Sequence, residues 1–192
     1  MERLYLDRLN EHDIGDIAEL YSDIEVTRYL GVEIANLADA QDWYAKVSER
    51  HKQGLGRMYA IRLLEGNELI GCCGFSDIDR NSHHGTITYS LARHYWGVGL
   101  MQEALRQLLS FAFEGGLACP IQRLQAWVNP RNGPSIRLLE RMGFLLEGEL
   151  RSIYFEKGQY VDLQCFGLLR TDQIPAVVMQ RLQPCKLDGL TV

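Results

Sequence analysis

Residues 85 to 113 read GTITYSLA, then RHYWGVG, then LMQEALRQLLSFAF. The first run is rich in β-branched residues and predicts a strand. In the last, Leu100, Ala104, Leu105, Leu108, Leu109 and Ala112 fall at helical spacing, and Gly115 and Gly116 stop the helix. The next apolar run, IQRLQAWV at 121–128, is therefore separated from the first strand by a helix, and strands connected in this way lie parallel. After the upstream hairpins the pattern thus changes to strand, loop, helix, strand and helix, with the glycine loop following the first of these strands.

Gly97 and Gly99 leave the backbone bare just where the helix begins. The first amides of a helix have no internal partner and its dipole favours negative charge, so such a loop can take an anion. Glycine lets a phosphate reach the backbone. No Lys-Ser/Thr pair follows the glycines, which excludes the Walker loop. Gln102 occupies the third glycine position of the dinucleotide fingerprint, and the motif lies mid-chain after an antiparallel region, so that reading fits poorly. The plain alternative is a tight connection between strand and helix.

The flanking sequence reads as one domain over residues 1–170. RLYLDRL is an opening strand, and Asp13 is placed to cap a helix carrying Ile14, Ile17, Ala18 and Leu20. ADAQDWYAKVSERHKQ, at 38–53, is a second helix; RMYAIRLL and ELIGCCGFSDI form a hairpin around EGN. The stretch NPRNGPSIRLLERMGF gives a turn, a short helix and a glycine stop, and LLEGELRSIYFEKGQYVDLQCFGLLR a long hairpin around EKGQ. QIPAVVMQRL is a short amphipathic stretch in a C-terminal segment, 171–192, packed on the domain or trailing from it. No run of 18 apolar residues and no secretory leader pattern is present, so a cytoplasmic protein is expected, without a membrane partner. The five cysteines have neither CxxC nor Cys/His spacing, which suggests free thiols and no metal. A net charge of −5 without a basic cluster argues against nucleic acid.

Just past the strand at 121–128 lie Asn129, Pro130, Asn132, Ser135 and the pair Gly143-Phe144. With these beside the glycine loop, the chain resembles the Gcn5-related N-acetyltransferases (GNAT), in particular the RimJ/RimL-type branch that acetylates protein N-terminal amines. The likeness spans roughly residues 3 to 170. The family writes its loop Arg/Gln-x-x-Gly-x-Gly/Ala, and His94, Gly97 and Gly99 hold those places here; His94 departs from the pattern. NPRNGPSIRLLERMGF resembles the family's Asn-x-x-Ser helix and closing Gly-Phe, followed by EGELR and GQYVDLQCFGLLR in the expected order.

The resemblance implies an α/β (α+β) fold with a mixed sheet of about seven strands, splayed central parallel strands and about four helices. It implies acetyl-CoA as cosubstrate, its pyrophosphate on the amides of Val98, Gly99 and Leu100, with Arg93 and His94 near the phosphates. Its pantetheine arm would pair with the strand ending near Leu91 and Arg93, held by Asn129 and Asn132, and a strand amide near Leu91 would meet the oxyanion. Many members protonate the departing thiolate with a Tyr where this chain has Leu139, so Ser135 becomes the candidate, although it could equally serve the helix terminus. Positions that carry a Glu base in relatives are Thr86 and Tyr154 here, and no base is assigned. Glu33 and Tyr154 are candidate acceptor contacts, with His83, His84 and Glu156 also within possible reach. The expected acceptor is a protein or peptide α-amine. The alternatives are a small-molecule amine (aminoglycoside, polyamine or amino sugar) or a catalytically silent acyl-CoA-binding module. A homodimer is plausible for the branch.

Overall fold

The computed structural model describes residues 2–117 and 119–172. The predicted C-terminal amphipathic stretch lies outside the described residues. Seven strands, β1 (Leu4–Arg8), β2 (Arg57–Leu63), β3 (Leu69–Asp79), β4 (His84–Leu91), β5 (Arg123–Val128), β6 (Leu145–Glu156) and β7 (Gln159–Leu169), form one sheet in the order β1-β2-β3-β4-β5-β7-β6. All neighbours are antiparallel except β4 and β5, as the crossover requires.

Five α-helices cover the sheet: α1 (Ile14–Ser22), α2 (Ile24–Thr27), α3 (Leu37–Lys52), α4 (Leu100–Phe113) and α5 (Gly133–Arg141). The one beyond the expected four is the single turn α2, which Asp23 starts by accepting from the amide of Glu25 at 2.9 Å. Strand alternation divides the core. Tyr59, Ile61, Cys73, Phe75, Ile87 and Leu91 face α4 and α5, whereas Met58, Ala60 and Cys72 face α1 and α3. The central strands are thus buried on both sides, which is why β2 and β3 read as continuous apolar runs.

Asp13 does not cap α1 as its position suggests; no side-chain bond to that helix start forms. Instead Asn10 and Asp13 make a capping box around a 3-10 turn, Asn10 taking the His12 amide at 3.0 Å and Asp13 taking the Asn10 amide at 2.9 Å. The other Asp13 oxygen pairs with the buried Arg62 guanidinium, which also reaches Asp7 at 3.1 Å. A buried cation needs this carboxylate more than an exposed helix end does.

Candidate functional site

The β4–β5 ladder has only three register pairs, His84 with Arg123, Gly85 with Leu124 and Thr86 with Gln125. Beyond them β4 runs on to Leu91 and β5 to Val128 without pairing, so the two strands open into a cleft. The Ala92 amide donates to Ile70 on the β3 side at 2.8 Å, and the His83 carbonyl accepts from Gln122 on the β5 side at 2.8 Å. By two-residue alternation, the backbone groups of Ile87, Tyr89 and Leu91 face the cleft. The Leu91 carbonyl already accepts the Trp96 indole at 2.7 Å.

At the end of β4 a 3-10 turn, Arg93–Tyr95, leads into the glycine loop. Gly97 and Gly99 take φ of 77° and 83°, the left-handed region that L side chains rarely adopt. Gly99 is the N-cap of α4 and leaves that helix without a side-chain cap, so the first amides keep the donor capacity that serine or aspartate would occupy. A Cβ at Gly97 would meet nothing within 4 Å, and one at Gly99 only the Arg3 guanidinium, at 3.7 Å. The cradle is open above the backbone and fits an anion. Its shape is fixed from outside: Arg3 donates to the Val98 carbonyl at 2.9 Å and pairs with Glu103, in the first turn of α4, at 3.0 Å. Arg93 and His94 stand exposed on the turn.

Across the cleft, Asn129 accepts the Arg131 amide at 2.9 Å, and Asn132 caps α5 by accepting the Ser135 amide at 3.3 Å. That leaves the Ser135 hydroxyl free of capping work. It meets the Tyr89 hydroxyl, 2.6 Å away on the opposite wall. Burial pushes the Tyr89 phenol up to about 12, against a smaller opposing pull from the Ser135 bond, so it is a neutral hydroxyl at any working pH. Leu139, where many relatives carry a tyrosine, is fully buried in the core. The phenol here comes instead from β4.

Tyr89 also borders a cavity of about 180 Å³ on the α1/α3 face, walled by side chains such as Tyr21, Val32, Trp43 and Val47. None of its described lining residues is Asp or Glu. Tyr154 on β6 stands so close to Gly31, which lies between the lining residues Leu30 and Val32, that a Cβ there would lie 2.7 Å from the phenol oxygen. Lys157, at the β6–β7 turn, donates to the Thr27 carbonyl at 3.1 Å and so ties the hairpin to the end of α2. Glu33 is exposed on the same α2–α3 loop. Three other acceptor candidates lie elsewhere. His83 and His84 sit at the far end of β4 from the glycine loop, His83 in the β3–β4 turn with φ of 54°. Glu156 is at the hairpin tip beside the Lys157 ammonium, 3.6 Å away. Thr86 spends its hydroxyl on Gln125 at 3.0 Å.

Sequence reasoning missed Tyr89, Arg3 and the cavity walls. Tyr89 and Ser135 are 46 residues apart, and Arg3 and Val98 are 95 apart. No local pattern marks either pair. Among the described residues, no helix is long and apolar enough to cross a membrane, and no group of three His, Cys, Asp or Glu side chains is arranged to hold a metal ion.

Comparison with known proteins agrees with the fold. The chain is 33% identical over 172 residues to the uncharacterized N-acetyltransferase p20 of Bacillus licheniformis, covering 89% of this chain and 95% of that protein. It is 27% identical over 180 residues to the [Ribosomal protein uS5]-alanine N-acetyltransferase of Escherichia coli K12, covering 91% of each. Among solved structures, the RimL ribosomal L7/L12 α-N-protein acetyltransferase in complex with coenzyme A superposes with a TM-score of 0.79 at 21% identity, over 88% of this chain and 95% of that one. The spermidine N-acetyltransferase of Vibrio cholerae, in complex with CoA and spermine, reaches 0.77 at 20% identity, over 88% and 97%. The family description "Acetyltransferase (GNAT) domain" matches residues 3–145, and the chain, an N-acetyltransferase, belongs to that family.

Proposed function

We propose that this enzyme transfers acetyl from acetyl-CoA to the α-amine of a protein or peptide. The observation that carries the reading is the cleft: a three-rung ladder opening between an uncapped glycine cradle on one side and a paired tyrosine and serine on the other. The amides of Val98, Gly99 and Leu100 would hold the pyrophosphate, Arg93 and His94 would stand near its phosphates, and the cleft edge of β4 through Leu91 would take the pantetheine as an added strand. Asn129 and Asn132 border that arm from β5 and α5. Acetyl-CoA supplies an activated thioester.

The neutral amine forms the new C–N bond, the C–S bond breaks, and the proton lost from nitrogen balances the one gained by sulfur. An amide near Leu91 stabilises the oxyanion. Ser135 donates to the departing sulfur, and Tyr89, donating to the Ser135 oxygen, turns that hydroxyl's only proton outward. The Tyr89 phenol is bonded to Ser135, so it acts on the sulfur through that hydroxyl and is a positioning residue.

Among the described residues lining the cavity there is no carboxylate that could deprotonate an acceptor or attract a polycation. That favours an amine already partly neutral: α-amines titrate near ~8 and lysine-type amines near ~10.4. Names of relatives point both ways, to ribosomal-protein α-amines and to spermidine. Following free thiol release from acetyl-CoA with a peptide panel, spermidine and an aminoglycoside distinguishes them. Turnover on free peptide N-termini above that on either small amine is expected. Turnover confined to the small amines refutes the reading, and binding of acetyl-CoA without any turnover indicates a silent module.

A further inference from the structure

The cavity beside Tyr89 is lined mostly by apolar side chains, and most of its larger polar groups are already bonded. The Tyr21 hydroxyl is bonded to Ser90 at 3.0 Å, and burial keeps that phenol well above its ordinary range and neutral. The Tyr89 hydroxyl is bonded to Ser135. Of the two lining cations, Arg50 gives its guanidinium to the Ser76 carbonyl at 2.9 Å, the Leu55 carbonyl at 3.1 Å and Asp77 at 2.9 Å, and Arg57 donates to the Gly116 carbonyl at 3.2 Å and lies over the Phe111 ring. What remains for an occupant is mainly apolar wall: Trp43, tilted on Tyr21 with centroids 5.4 Å apart, and Val32, Val47 and Met58. A charged or hydroxylated side chain entering this space loses water for a lining that offers few partners, the Thr88 hydroxyl among them, whereas an aliphatic one gains contact with the apolar wall. The volume of about 180 Å³ equals that of about six waters at ~30 Å³ each, enough for a branched aliphatic group.

We propose that the cavity receives the side chain of the acceptor's first residue and that this side chain is apolar. The substrate class is therefore a peptide beginning with an aliphatic residue such as leucine, valine or methionine. This rests on the α-amine reading, because Tyr89 borders both the cavity and the cleft: a side chain in the first leaves its own α-amine at the second. Polyamines and aminoglycosides, which carry an ammonium group every few atoms, are disfavoured by the same walls.

The test uses peptides identical except for residue one: Gly, Ala, Ser, Val, Leu, Met, Phe and Lys, with spermidine alongside. Each buried methylene is worth about fourfold in kcat/KM, so Leu is expected to exceed Gly by at least about tenfold, with Ser and Lys near or below Gly. Val47→Phe, which fills the cavity, is expected to shrink the Leu/Gly ratio measured within one preparation. Trp43→Ala, which enlarges it, should move the preference toward Phe, so the inference does not depend on either variant alone. A flat series, or a preference for Ser or Gly, overturns the apolar cavity while leaving the α-amine reading intact. Turnover of spermidine with none of any peptide overturns both.

Discussion

Replacing Tyr89 by phenylalanine removes one oxygen atom and leaves the ring that packs against the α4 face of the core. The bond lost is a neutral hydroxyl pair at 2.6 Å. Such bonds contribute about 0.5–1.5 kcal/mol net, so kcat should fall about 2- to 13-fold if the whole bond serves to aim the Ser135 proton. The KM for acetyl-CoA should hold, since the phenol does not approach the cradle. Ser135→Ala removes the donor itself. Its rate loss is bounded by the ~10²–10³ seen when a preorganised donor to a developing anion is deleted. It also leaves the part-buried Tyr89 hydroxyl without its partner, costing up to about 1 kcal/mol of stability, a penalty the phenylalanine variant escapes. The double variant is the decisive one. If Tyr89 works only through Ser135, the pair should turn over no more slowly than Ser135→Ala alone, within about twofold, and should melt at a higher temperature, because no unpaired hydroxyl remains. Because the phenol titrates at about 12, wild type and Tyr89→Phe should share one kcat–pH profile below pH ~10. Unchanged kcat in Tyr89→Phe, or losses that multiply in the double variant, would refute the arrangement.

Two further variants test the frame around the cleft. Gly99→Ala places a side chain at φ 83° with only the Arg3 guanidinium nearby, so its effect is backbone strain of about 1–2 kcal/mol rather than crowding. Relaxation of the loop should weaken acetyl-CoA binding about tenfold by calorimetry, and unchanged affinity would count against the cradle. Asp13→Ala removes the buried partner of Arg62, whose side chain is 9% exposed, and should cost about 3–5 kcal/mol in chemical denaturation; a loss below about 1 kcal/mol would mean that Asp7 alone suffices.

Features set by neighbours in sequence were legible, and features set by distant pairing were not. The glycine loop, the helix after it and the hairpin turns depend on residues within a few positions, and they formed where the sequence put them. EGN folds through Gly66 and Asn67 at φ of 80° and 60°, and EKGQ through Lys157 and Gly158 at 50° and 78°. Asp13 illustrates the limit. Its position next to an apolar helical stretch is a capping signal, yet a guanidinium 49 residues away claims it. Ser135 was found as a residue but not as a pair, because the strand that brings Tyr89 to it is placed by β3 rather than by anything near α5. The search for a base had the same weakness: His83 and His84 are close to the cleft in sequence but at the wrong end of the strand.

The three-rung ladder has a consequence for the molecule as a folding object. β1 to β4 form a run of strands joined antiparallel to their neighbours, and β5, β7 and β6 form another; between the two strands at the seam, β4 and β5, the described backbone is stitched only over the short stretch from His83 to Thr86. Two blocks joined so sparingly can open along the seam without either unfolding, and amides along that seam should be among the first in the sheet to exchange with solvent. A ligand lying in the cleft would supply the missing stitches. On the proposed reading the protein keeps its weakest line where its substrate would bind, and occupancy of the cleft would help the sheet behave as one cooperative unit.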